Sequence, residues 1–82
     1  MSRLKDYNQI LIEGNDNFST LIDEVDANTI YIGTAAVGTA TGAALWQIQK
    51  ILVSGTVTSV LWADGDDAFN QVWNDRTTLN YS

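Results

Sequence analysis

"ALWQIQKILVSGTVTSVLWA", residues 44–63, decides the fold. Ahead of the Ser54-Gly55 turn signal, Trp46 and Ile48 fall on one side of an extended run, with Leu45, Gln47 and Gln49 on the other. Behind it, Thr58, Val60 and Trp62 share a side. A period of two is the period of a pleated strand, and a short glycine-containing turn between two such runs predicts a β-hairpin. The hairpin across Ser54-Gly55 is the anchor for everything around it.

Moving toward the N-terminus, "TIYIG" at 29–33 is β-branched or aromatic up to a closing Gly33, which predicts another strand. Between the two strands, "TAAVGTATGA" at 34–43 is made of small residues and glycine and reads as a long loop or a weak edge. "FSTLIDEVD" at 18–26 admits two readings. Phe18, Leu21, Ile22 and Val25 recur at helical spacing, yet the same residues also suit a strand. "YNQILIEG" predicts a short strand ending at the Gly14-Asn15 turn signal.

On the C-terminal side, Asp64-Gly65 marks a turn. Asp66 or Asp67 is placed to cap a helix of about two turns in which Phe69, Val72, Trp73 and Arg76 share a face. "TTLNYS" then runs extended. The expected fold is mainly β: a small antiparallel β-sandwich or barrel-like domain with one short C-terminal helix. Its organisation divides at residue 28, with a polar, acidic segment over 1–28 suited to an attachment arm and a β-rich structural module over 29–82.

Composition narrows the function classes. The chain has 82 residues, a net charge of -6, and neither cysteine nor histidine. A chain of this size buries only about 60% of its unfolded surface. Disulfides are impossible and the two common zinc ligands are missing, so a good core or a partner chain must supply stability. An acidic surface repels phosphate, which argues against nucleic acid and anionic membranes as partners. No apolar run approaches a membrane span, and "MSRLKDYNQ" lacks the apolar stretch of a secretory signal, so assembly in the cytoplasm is expected.

Chemistry-bearing patterns are sparse. Nucleophilic triads need His or Cys beside the attacking residue. Asp64, Asp66 and Asp67 crowd into one turn, where solvated acids are the commoner case than a glycosidase pair. "GTAAVGT" at 33–39 has phosphate-loop spacing, but Thr39 stands where the lysine is needed. "GTATG" at 38–42 lacks the surrounding apolar segment of a membrane dimer motif. "ADGDDAF" and "EGNDNF" are out of register for an EF-hand; turn and cap chemistry is the commoner reading, and a different Ca2+ site built from loop carboxylates is the other. No catalytic, cofactor-binding or metal-ligating residue is expected. Trp46, Trp62 and Trp73 could form a sugar platform, but small domains more often spend large aromatics on the core.

Charge is nearly absent from the middle of the chain: from Ala27 through Ala63 the sole charged side chain is Lys50. Protein interfaces are depleted in charge at their centres because burying an unpaired charge is costly. The stretch is therefore expected to be largely covered by the core and by neighbouring subunits, with Tyr31, Trp46, Ile48, Val60, Trp62, Phe69 and Trp73 as the core and interface residues; the other reading is a threonine-rich, solvated β-surface. On the first reading Val60→Asp would abolish assembly or solubility.

Residues 29–82 also resemble a short module of small virion proteins in tailed bacteriophages. The likeness is carried by Tyr31 to Gly33, Trp46 to Lys50, Trp62 to Gly65, Phe69 to Trp73 and Leu79 to Ser82. It implies a non-enzymatic virion structural protein, foremost a capsid decoration or cement protein bound to the major capsid protein or other virion proteins. The resemblance further implies a symmetric homo-oligomer, with a trimer favoured, localised in the virion after assembly in the host cytoplasm. The alternative is a tail-fibre or head-fibre module, or a receptor module that binds carbohydrate.

Overall fold

The computed structural model describes residues 18–82. The strand expected to end at Gly14-Asn15, and residues 13–17 of "EGNDNF", lie outside the described residues. The fold is mainly antiparallel β, as the alternation predicts. Its elements are β1 (Phe18–Asp26), β2 (Thr29–Ala36), β3 (Ala44–Ser54), β4 (Val57–Trp62), a two-residue β5 (Gln71–Val72) and one 3-10 turn (Trp73–Asp75).

The first four strands form a meander in the order β1-β2-β3-β4, every pair antiparallel. β3 is the longest strand, and it needs its length. One of its edges pairs with β2 through Gln47–Leu52, while the other pairs first with β5 at Ala44 and Trp46 and then with β4 from Gln49 to Ser54. The 44–63 hairpin has its turn one residue later than the sequence suggests. Ser54 pairs with Val57, so the two-residue loop is Gly55-Thr56, with Gly55 at a φ of 61°. A positive φ at the first loop residue is the requirement of a type II′ turn, whose twist matches that of the flanking strands.

β1 resolves the open reading of 18–26 as a strand. Leu21 pairs with Gly33 and Ile22 with Ile32, so the two adjacent apolar residues go to opposite faces, and each finds a buried neighbour. The sheet thus takes in Phe18–Asp26, which lies before the division at residue 28 expected from the sequence.

The two faces differ. On one, Tyr31, Ala35, Trp46, Ile48 and Ala63 form a buried cluster that the C-terminal segment completes with Trp73, Leu79 and Tyr81, and that Leu21 borders. On the other, Ile30, Ile32 and Ile51 are buried together with Ile22 beside them. β2 contributes to both clusters, which is why its sequence is apolar nearly throughout.

The helix expected around Phe69–Arg76 is reduced to the single 3-10 turn at Trp73–Asp75. Gln71 and Val72 leave helical geometry to pair with β3, and Gln71 is itself buried. Several contacts hold the C-terminal segment beyond this turn, the Asp64 N–H donating to the Asn80 carbonyl at 2.6 Å among them. Arg76 Nε donates to Asp23 Oδ2 at 2.9 Å, Tyr81 Oη donates to the Arg76 carbonyl at 2.7 Å, and the backbones of Trp62 and Ser82 exchange hydrogen bonds at 3.0 and 3.1 Å.

Candidate functional site

Gly33 sits mid-strand rather than at a strand end. A Cβ placed there would lie 2.5 Å from Trp73 Cε3 and 3.2 Å from Trp46 Cε3. The missing side chain is a notch in the sheet into which the indole of Trp73 descends, stacking at a 40° tilt against Trp46 with ring centroids 6.1 Å apart. The small-residue loop at 37–43 serves the same cluster: the Ala40 carbonyl accepts the Trp46 indole N–H at 2.9 Å, and the Thr41 carbonyl accepts the Asn74 backbone N–H. A buried indole needs such an acceptor.

Both cations among the described residues are spent on aromatic rings. Lys50 Nζ lies 5.8 Å from the Tyr31 ring centroid and 5.7 Å from that of Tyr81. The Arg76 guanidinium lies 4.6 Å over Trp73 while it binds Asp23. Cation–π contacts of this kind contribute about 0.5–1 kcal/mol each where exposed and more where desolvated. Burial, with the Tyr31 phenol alongside, pushes the Tyr81 hydroxyl well above its ordinary titration range, against the opposing pull of Arg76.

The acidic turn is built as turn chemistry. Asp64 takes a φ of 56° and its Oδ2 accepts from the Gln71 side chain at 2.8 Å; Asp66 Oδ1 accepts the Ala68 backbone N–H at 3.0 Å; the Asp67 carbonyl accepts from Gln47 Nε2 at 2.9 Å. Among the described residues no group of three acids, histidines or cysteines converges as metal ligands would.

The seven residues singled out from the sequence divide three ways. Tyr31, Trp46, Ile48 and Trp73 are buried and, with Ala35 and Ala63, make one cluster. Trp62 is half-buried. Val60 and Phe69 are 53% and 43% exposed, Phe69 stacking on Phe18 at 5.8 Å. Trp46 and Trp62 do not face each other across the hairpin. Trp62 pairs with Gln49, which points to the opposite side of β3 from Trp46, and the true neighbour of Trp46 is Trp73.

Sequence reasoning overlooked the Gly33 notch and the cation–aromatic contacts. A glycine inside an otherwise alternating strand was the available signal for the notch. The approach of Lys50 to Tyr31 and Tyr81, both distant from it along the chain, had no local signal at all.

Exposed apolar side chains are spread over several elements, Val37 and Leu45 among them, and the candidate functional surface that also presents a strand edge is the outer side of β4. The strand closes the sheet order, it carries no charge, and it exposes an apolar side chain on each face, Val57 at 61% on one and Val60 on the other. Around it the described residues enclose no cavity, so the surface offered to a partner is strand rather than cleft. No protein-family model, curated protein or solved structure matches this chain.

Proposed function

We infer that the chain is a non-enzymatic bacteriophage virion structural protein, a capsid decoration or cement protein that packs against the shell as a symmetric oligomer. The observation that carries this reading is the uncharged, solvent-exposed β4 edge on a protein of net charge -6 whose described cations are tied to aromatic rings. A neutral strand edge is where an acidic protein accepts another chain at least electrostatic cost. The segments that carry the resemblance to phage virion modules are compatible with it, because they serve architecture: Tyr31 to Gly33 in β2, Trp46 to Lys50 in β3, Trp62 to Gly65 at the end of β4, Phe69 to Trp73 leading through β5 into the 3-10 turn, and Leu79 to Ser82 in the closing segment.

The alternative, a fibre or receptor module with a tryptophan platform for sugars, has less support. Trp46 and Trp73 belong to the core, which leaves only half-buried Trp62 for such a platform.

The test is add-back. Particles assembled without this chain should disrupt at a lower temperature than complete ones, and the purified chain should pellet with them and restore the higher value. Particles that neither bind the chain nor change their disruption temperature would remove the cement reading.

A further inference from the structure

The β4 edge has a specific vacancy. Trp62 bonds outward to Ser82 and Ala63 bonds inward to Ile48 of β3, so along this strand the even-numbered residues turn their backbone groups away from the sheet. Thr58 and Val60 are the other outward residues of β4, and neither their N–H nor their C=O groups have a partner among the described residues. The bare window lies between the Gly55-Thr56 turn and the Ser82 contact. Sheet edges are ordinarily protected by charge, proline or a bulge. β1, at the other end of the sheet, carries Asp23, Glu24 and Asp26 and an irregularity between Glu24 and Asp26. The stretch Val57–Leu61 has none of these devices.

We propose that this window pairs with the same window of a second copy, antiparallel, about a two-fold axis through Ser59. The sequence of the strand is what selects the occupant. Read outward from Ser59, "VTSVL" is matched to its own reverse: Thr58 falls opposite Val60 of the second copy, and Val57 opposite Leu61. Thr58 with Val60 is β-branched with β-branched and Val57 with Leu61 is apolar with apolar, combinations that stabilise antiparallel ladders, and Ser59 meets its own copy at the axis. The parity is also right. The outward residues Thr58 and Val60 meet as a hydrogen-bonded pair that exchanges both N–H···O=C bonds, and the dyad repeats the exchange.

Charge points the same way. Two chains of net charge -6 repel over most of their surface, and β4 contributes no charge to that repulsion. A self-paired edge is isologous and closes on itself as a dimer, in place of the trimer that the resemblance to phage modules implies. The contact is short, so it belongs to concentrated chains or to copies held side by side. It stands independently of whether the chain resides in a virion.

The test uses the isolated full chain. Sedimentation velocity over rising concentration should show a monomer passing to a dimer. In amide hydrogen exchange, Thr58 and Val60 should become protected only as the dimer forms, whereas Ser59, bonded to β3, is protected throughout. Thr58→Pro removes an outward N–H without touching the ladder to β3, and it should hold the chain monomeric with an unchanged circular dichroism spectrum. A chain that stays monomeric at every concentration overturns the proposal. So does a dimer in which the Thr58 and Val60 amides still exchange rapidly. Exchange in the unsubstituted chain decides the matter even if Thr58→Pro fails to fold.

Discussion

At the scale of single residues, Gly33 is the most tightly constrained of the described glycines. Its absent Cβ is the space that Trp73 occupies, and the rigid indole cannot give way as a flexible chain end would. Overpacking a dense core typically costs about 1–3 kcal/mol, so Gly33→Ala should lower unfolding stability by that amount. Urea denaturation measures it; an unchanged midpoint would mean that Trp73 does not sit in the notch. Tyr81 makes a second prediction. The folded chain holds the Tyr81 proton to higher pH than the unfolded chain, which releases it near 10.0. The stabilisation is therefore complete below pH 10.0 and is lost as the pH climbs above it. Thermal midpoints should fall in that alkaline range, and Tyr81→Phe should fall less steeply while sitting lower at neutral pH, having lost the 2.7 Å bond to the Arg76 carbonyl. Parallel alkaline profiles for the two proteins would contradict this.

At the scale of elements, β4 is held by its ladder to β3 and not by Val60, which is half out in solvent. Val60→Asp should leave the circular dichroism spectrum and the melting curve nearly unchanged while abolishing self-association. Loss of the folded spectrum would place Val60 in the core instead. The hairpin containing β4 was legible in the sequence because its determinants are local: period-two alternation, and a glycine where the turn needs a positive φ. β1 and the C-terminal segment were not, because their determinants are distant. Phe18, Leu21, Ile22 and Val25 have helical spacing, and only pairing with β2 makes them a strand. Phe69, Val72, Trp73 and Arg76 likewise suit one helical face. In the structure each is drawn elsewhere: Phe69 to Phe18, Val72 to β3, Trp73 into the Gly33 notch, and Arg76 to Asp23 across 53 positions of sequence. Helical propensity over so short a stretch is too weak to resist such contacts.

At the scale of the whole molecule, one logic links composition to function. With no cysteine or histidine, the chain builds its stability from aromatic residues, and two of its three tryptophans go to a single cluster over one face of the sheet. Trp46 and Trp73 are 2% and 7% exposed, so emission should be dominated by buried indoles and should not respond to added sugars. A red-shifted spectrum quenched by a saccharide would favour the receptor-module reading. The core aromatics also draw in Lys50 and Arg76, which leaves the acids to set the charge of the described surface away from neutral β4. The burial of Tyr31, Trp46, Ile48 and Trp73 bears on the candidate site because it subtracts them from it, while Val57 and Val60 of the β4 edge stay exposed. The charge-free stretch signalled this edge in the sequence, although it did not distinguish core from surface within it.

The most direct test of the central claim, that this is a virion structural protein of the shell, is the copy number of the chain in purified particles of the genome that encodes it. Quantitative mass spectrometry against the major capsid protein would supply it. A stoichiometry on the scale of the capsid lattice is expected, whereas absence from the particles would contradict the virion assignment.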